Sequence, residues 1–565
     1  MQYSNKIGVQ LILQKCSSHG VKNLVFSPGS RNAPFVISIN DDSDFKTYTI
    51  HDERSAAFFA LGIAQQLNEP VAIICTSGSA ALNYYPAVAE AYYQSLPLVV
   101  ITADRPDEWV NQGDGQTIVQ NEVFKNHIRY SVNINDSSSH ENYFWKIERE
   151  LDTAFSHCNK NWKGPIHINI GLSEPLYETI NEKHQTNNHF ELISSSFNPT
   201  TEEKNLLGSI WKNSTKRLIL CGQIPKNIAL ENQLKELATD TSVAVLVENT
   251  SNLFDQSFSH CIDRTLNEIS EDEILSYKPD LLITLGGAVV SKRIKSFLRK
   301  NKPKHHWKIG YEFPYMDTYQ CLTQSIEAHP EHVFSFINQI QFERHVSTFG
   351  NRWKQKDFIA QNSLPDFYES LPYCDLKVFE TILDYIPENS HLHMGNSSVV
   401  RYCQLFDPIK SVKYWSNRGT SGIDGCTSTA AGAAISKQDE WHTLISGDIS
   451  FFYDSNALWN SHLTPNLRIF LINNDGGDIF NIIPGPKSVP QYKRFIAPHG
   501  FRAKQLCEAF DIEYFEADSI EAIECQLESF FNYESSGRPK VMEISTRDID
   551  NSGYLNEFWK RNSLI

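Results

Sequence analysis

Short apolar runs that end in small, polar or proline residues recur along the chain, and stretches with helical spacing lie between them. VKNLVFSPGS (21–30), VAIICTSGSA (71–80) and LVVITADRP (98–106) each pass from a strand-like run into a turn, and GPIHINI (164–170) closes this block. A polar linker follows between about residues 181 and 205. A second block carries RLILCGQIP, VAVLVEN and PDLLITLGGAVV, and a charged, aromatic-sprinkled stretch from about 343 to 373 interrupts the pattern. A third runs through NSHLHMGNSS, WHTLISGDIS and NLRIFLINNDGG. Alternating strand and helix text of this kind predicts an α/β fold of three parallel-sheet domains, at 1–185, 200–345 and 374–565. The first and third blocks could be related units, which periodicity alone does not decide.

Composition narrows the function classes. The chain has 565 residues, 41% hydrophobic and 21% charged, the profile of a soluble globular protein. No apolar run approaches the ~20 residues of a membrane span, and the N-terminus lacks a secretory pattern, so a cytoplasmic location is expected. A net charge of −16 argues against nucleic acid as a partner. The eleven cysteines are scattered singly and without nearby Cys/His ligand spacing, so they read as small buried hydrophobes rather than a zinc site or a disulfide framework.

In open parallel sheets, ligands bind outside the carboxyl ends of the strands, so the chemistry belongs in the turns. Two turns of the third block stand out. Gly447-Asp448 ends one apolar run, and Asn473-Asn474-Asp475-Gly476-Gly477 ends the next. Each alone suits an ordinary turn. Together they are one β-α-β crossover apart, with YDSNALWNSH as the helix, which sets the two strand ends side by side. Asp448, the Asn474 side-chain oxygen and the Gly476 carbonyl would then converge as three hard oxygen donors suited to Mg2+.

A GD followed by a strand-ending NN resembles the signature of thiamine-diphosphate-dependent enzymes. The resemblance implies pyrimidine-binding, middle and diphosphate-binding domains, with thiamine diphosphate and Mg2+ (or Mn2+) as cofactors. It also implies a glutamate that hydrogen-bonds the cofactor's aminopyrimidine. In YTIHDERSAAFFALGIAQQL that acid is Glu53, between a strand-like run and an Ala-rich helix. By itself Glu53 reads first as an acid favoured by a helix N-terminus, and it is the family's surrounding pyrimidine-domain text that selects it. The cofactor would also be met by Gly395, Asn396, Gly447, Ile449, Ser450, Gly477, Ile479 and Phe480. No paired histidines sit near these motifs; His305-His306 lies in the middle block, and His51 reads as structural.

Arginines set in Gly/Ser turns select a branch of the family. Arg31 follows Ser30 in SPGSRNAP, Arg105 sits in TADRP, Arg401 follows Ser397 in GNSSVVR, and Arg418 opens RGTSGIDG. A guanidinium grips a carboxylate with paired charge-assisted bonds, so four of them suit a polycarboxylate substrate. The glycine spacing of RGTSGIDG suits close backbone approach rather than a dinucleotide fingerprint. The order of motifs is similar to that of the carboligases of menaquinone biosynthesis. That likeness implies decarboxylation of 2-oxoglutarate and Stetter-like addition of its succinyl semialdehyde unit to isochorismate. It carries Ser30, Arg31, Arg105, Gln116, Ser397, Arg401 and Arg418 over as substrate contacts and implies a homodimer or homotetramer with active sites between subunits. Lys292 and Arg293 match less clearly and are equally a solvated helix face, and the direction of the Asp475 charge is open. Another thiamine-diphosphate carboligase or 2-oxoacid decarboxylase, and a nucleotide-binding scaffold protein, are the competing readings.

Overall fold

The sheet cores form where the chain is continuously apolar. Val71–Cys75, Leu98–Asp104 and Ile166–Gly171 are buried along their whole length, as strands covered on both faces by helices must be. The computed structural model describes residues 2–39, 45–136, 141–184, 190, 192, 197–340, 347–483, 485–532 and 537–560. Much of the expected 181–205 linker lies outside them.

The first sheet runs in the order Lys46–Thr49, Asn23–Phe26, Val71–Cys75, Leu98–Asp104, Ile166–Gly171, Ser131–Asn135, with every neighbouring pair parallel. The middle sheet is also parallel, in the order Val243–Val247, Arg217–Cys221, Leu281–Leu285, His305–Ile309, Gln324–Ile326. The third runs Lys413–Trp415, His391–Met394, His442–Gly447, Leu467–Asn473, Lys540–Ser545, Glu513–Ala517. Numbered by appearance in the chain, the strands of the first and third sheets share one order: second, first, third, fourth, sixth, fifth. The kinship that periodicity left undecided is therefore visible in topology.

Two details differ from the sequence reading. The 343–373 stretch does not interrupt the fold: its described part forms the helices Phe349–Asn362 and Pro365–Ser370, and the buried Trp353 packs edge-on against Tyr277. The helix expected at YDSNALWNSH instead starts at Asp448 and ends at Tyr453, followed by a 3-10 turn at Ser455–Leu458.

By compactness the chain forms two units, the first comprising Met1–Ser194, Gly419–Asp439 and Tyr453–Leu467, the second the remainder. Within the first, the helix Glu53–Leu67 is started by the Asp52 side chain, which accepts from the Ser55 amide at 3.2 Å, and ends at Asn68 in a left-handed conformation. It packs along the helix Cys426–Ser436 at backbone distance. A Cβ added to Gly432 would lie 1.9 Å from the Phe59 carbonyl oxygen, and one added to Gly62 would lie 2.0 Å from that of Thr429. Neither obstacle is a side chain that can swing away. Gly432→Ala should therefore destabilise the protein by about 1–3 kcal/mol through overpacking, read as a shifted midpoint in chemical denaturation with unchanged slope.

Candidate active site

The third sheet places His442–Gly447 beside Leu467–Asn473, so Asp448 and the 474–477 loop emerge from adjacent strand tips. They are bonded to each other. The Gly476 amide donates to Asp448 Oδ2 at 2.8 Å, and the Ile449 amide donates to Oδ1 at 2.6 Å. Gly476 has φ +141°, and a Cβ there would meet the Ile496 carbonyl oxygen at 2.5 Å, so only glycine lets this amide face the carboxylate. The Asn474 amide nitrogen donates to Asp375 Oδ2 at 3.0 Å, which leaves its oxygen for another partner. Beside Asp448 a Cβ added to Gly447 would meet nothing within 4 Å, so there is room along this tip.

The tip gathers buried carboxyl groups with raised pKa values. Burial pushes Asp375 up to about 7, and the charges of Asp478 and Asp448 add to the shift against the hydrogen bonds from Thr546 and Asn474. Burial raises Asp448 as well, opposed by the Gly476 and Ile449 amides and by His499. His499 Nε2 lies 3.2 Å from Asp448 Oδ2. A carboxylate, an amide oxygen and a glycine carbonyl form an all-oxygen set suited to Mg2+ with water and diphosphate oxygens completing the shell. The residues present therefore fit a magnesium diphosphate. The open question about Asp475 is answered: its Oδ1 accepts the Gly500 amide at 2.7 Å and lies 3.7 Å from Arg547, so its charge ties down the 499–500 loop.

Around this tip, Ile449 and Ser450 open the short helix after Asp448, and Ile479 and Phe480 begin the helix Ile479–Ile482 after Gly477. Gly395 and Asn396 follow His391–Met394. Asn396 Oδ1 accepts from Arg418 at 2.7 Å, and its amide nitrogen donates to the Asn417 carbonyl at 2.7 Å. Ser397 has φ +74°, a costly angle for a residue with a Cβ, and its carbonyl accepts from the Arg401 guanidinium. Burial lowers the Arg401 pKa, with Asp263 opposing. Lys292 and Arg293 begin the helix Lys292–Lys300, where the Arg293 guanidinium stacks 3.7 Å above the Trp559 ring. Arg293 thus packs structurally.

In the first unit, Glu53 is the half-buried first residue of its helix. Burial raises its pKa, and the Asp52 charge adds to this against the helix amide and the Asn83 side chain. Arg31 is almost wholly buried. It donates to the Leu172 carbonyl at 2.8 Å, and its Nη2 lies 3.2 Å from the exposed Glu174. Burial and the neighbouring Arg105 charge hold its pKa below the ordinary guanidinium value. Arg105 donates to the Gly115 carbonyl at 3.2 Å and lies 3.3 Å from Asp114, beside Gln116 in its left-handed conformation. Ser30 is exposed at the same strand tip. The structure therefore brings Arg31 and Arg105 within electrostatic range of each other.

Sequence reasoning missed Asp375, His499 and Glu90. Glu90 is buried and accepts the Gly419 and Thr420 amides at 2.7 and 2.6 Å. None of the three stands in a recognisable turn motif; only partners distant in the chain reveal them.

Comparison with known proteins identifies the family. A family model described as "Thiamine pyrophosphate enzyme, N-terminal TPP binding domain" matches residues 7–127, and one described as "Middle domain of thiamine pyrophosphate" matches residues 183–394. A protein of Christiangramia forsetii is 42% identical over 580 residues, covering 99% of both chains. One of Flavobacterium johnsoniae is 41% identical over 564 residues, covering 98% of each. One of Porphyromonas gingivalis is 35% identical over 574 residues, covering 99% of this chain and 97% of its own. All three are named 2-succinyl-5-enolpyruvyl-6-hydroxy-3-cyclohexene-1-carboxylate synthase. The chain belongs to this synthase family. It is a thiamine-diphosphate-dependent enzyme. Among the described residues no helix is long and apolar enough to cross a membrane.

The acid-rich tip makes the cofactor-free synthase sensitive to pH. Asp375 has a folded pKa of about 7 against an ordinary 3.8, so it binds its proton more tightly when folded. Its contribution to stability is full below pH ~4 and is lost as the pH rises through about 7. Asp375→Asn should flatten that part of a pH series of denaturation midpoints measured without cofactor.

Proposed function

We propose that the enzyme decarboxylates 2-oxoglutarate and adds the resulting succinyl semialdehyde unit to isochorismate in a Stetter-like conjugate addition. The product is 2-succinyl-5-enolpyruvyl-6-hydroxy-3-cyclohexene-1-carboxylate, made for menaquinone biosynthesis in the cytoplasm, and the enzyme is a transferase of an aldehyde unit. The observation that carries this reading is near full-length similarity to synthases of that name, joined to an oxygen-donor tip at Asp448 and Gly476. Thiamine diphosphate supplies, when bound, a nucleophilic ring carbon and a sink for the electron pair left as carbon dioxide departs.

The chain's own residues hold, orient and protonate. Asp448, Asn474 and the Gly476 carbonyl hold Mg2+ or Mn2+, and Asp375 keeps the Asn474 oxygen turned to the ion by binding its nitrogen. Gly447, Ile449, Ser450, Gly477, Gly395 and Asn396 line the diphosphate side, while Ile479 and Phe480 shield the ring from water. Glu53, whose pKa is raised by burial, would hydrogen-bond the aminopyrimidine nitrogen and exchange a proton with it. Ser30, Arg31, Arg105, Gln116, Ser397, Arg401 and Arg418 bind substrate carboxylates and hydroxyls. Each charge-assisted bond is worth roughly 1.5–3 kcal/mol, and a substrate carboxylate on Arg31 would displace the mostly exposed Glu174. The active unit is a homodimer or homotetramer with sites between subunits.

Incubation with thiamine diphosphate, Mg2+ and 2-oxoglutarate, with and without isochorismate, tests the reaction. Carbon dioxide release accompanied by an adduct of the expected mass is anticipated only when isochorismate is present. Release that favours another 2-oxoacid and ignores isochorismate would point to a different carboligase or decarboxylase. Glu53→Gln should lower turnover by at least ~100-fold while cofactor binding by calorimetry persists. Its melting temperature at neutral pH should not fall, because the variant removes a partly desolvated charge.

A further inference from the structure

A second cluster of ligand-type side chains lies in the middle sheet. His306, on the strand His305–Ile309, is 1% exposed. Its Nε2 is hydrogen-bonded to Thr284 Oγ1 at 2.9 Å, and the edge of its ring packs against buried Tyr319. The ring is thus fixed in plane and direction. Its other nitrogen, Nδ1, is buried without a hydrogen-bond partner and faces Asp317 Oδ1 at 3.9 Å. The loop that carries Asp317 turns back so that the Cys321 amide donates to the same Oδ1 at 2.9 Å, which brings the Cys321 thiol alongside. One ligand atom from each of His306, Asp317 and Cys321 lies within 4.8 Å of the others.

We infer that His306, Asp317 and Cys321 form a binding site for a borderline-soft divalent transition ion, with zinc the best match. The unpartnered Nδ1 carries this inference. A buried imidazole nitrogen that meets neither donor nor acceptor loses the full value of a hydrogen bond, and an ion between it and the carboxylate restores that value. The Nε2 contact to Thr284 is the outer-shell anchor that metal-binding histidines commonly have. One nitrogen, one sulfur and one oxygen donor suit Zn2+, whereas the all-oxygen set around Asp448 suits Mg2+, so the two sites select different ions. Arms of about 2.0–2.3 Å give tetrahedral edges of about 3.3–3.6 Å, so binding draws Asp317 toward His306 by roughly half an ångström and the remaining ligand atoms together by at most about 1.3 Å. The loop can yield, because the Asp317 side chain is 36% exposed while His306 is held. The Cys321 thiol proton leaves to solvent as its sulfur binds, and water takes the fourth position. The ion would cross-link the loop to the strand beside the sheet edge Gln324–Ile326.

The test uses the full-length enzyme saturated with thiamine diphosphate and Mg2+, so that the oxygen site is filled, and titrates it with Co2+ as a spectroscopic stand-in for zinc. One equivalent should produce a thiolate-to-cobalt charge-transfer band that excess Zn2+ abolishes. Cys321→Ser should remove the band and Asp317→Asn should weaken Co2+ binding at least tenfold, whereas Cys525→Ser, at the exposed cysteine, should leave both unchanged. Thr284→Val should cost roughly tenfold in affinity with the band retained. Circular dichroism verifies that each variant is folded. Absence of the band in the wild-type enzyme, or its survival in Cys321→Ser, overturns the inference.

Discussion

The hydrogen bond from the Gly476 amide to the Asp448 carboxylate is the contact on which the candidate site depends. It joins the tips of two adjacent strands and turns the backbone that follows. Because Gly476 sits at φ +141° against the Ile496 carbonyl, the loop has one way to make the bond. The surrounding contacts serve the same geometry. Asp375 binds the nitrogen end of Asn474, and Asp475 fastens the 499–500 loop. This concentrates buried acids, and Asp375 and Asp448 both hold their protons above the usual carboxylate range. Burying acids together, each with partial hydrogen bonding, costs stability.

The shared strand order of the first and third sheets places the candidate residues at equivalent tips. After the first strand of each sheet the chain carries an arginine, Arg31 in the turn after Asn23–Phe26 and Arg401 in the helix Ser398–Cys403 after His391–Met394. After the second strand come Glu53 and Arg418, and after the fourth come Arg105 and Asn474. Parallel strands all end on one side, where backbone amides and helix starts are unsatisfied, so one scaffold offers the same set of tips twice. Different side chains at those tips then give the two sheets different chemistry, acids and amides in one place and guanidinium groups in another.

Legibility in the sequence followed burial. Strands buried along their length, such as Val71–Cys75 and Leu467–Asn473, announced themselves as apolar runs. Ser131–Asn135, Lys413–Trp415 and Glu513–Ala517 did not, because they form sheet edges and carry polar residues where no second strand covers them. Lys540–Ser545 was hidden for another reason. It is central, yet contains the fully buried Glu543, which is satisfied by the Ala503 amide, the Tyr514 hydroxyl and the Asn473 side chain. Periodicity cannot register a charge whose donors arrive from remote segments. The cysteines behaved as expected at nine positions, but Cys321 is half-buried and Cys525 exposed.

By itself the sequence determined the α/β class, the parallel blocks, and the family to which its turn motifs belong. Each of these is written in residues close together in the chain, where apolar period and turn chemistry act locally. Only the tertiary structure decided that Asp375 orients Asn474, that Asp475 faces Arg547, that Arg293 stacks on Trp559, and that Glu90 anchors the 419–420 turn. These are contacts between residues tens to hundreds of positions apart. Their energies depend on burial and on the direction of individual hydrogen bonds, and both come into being only when the sheets have formed.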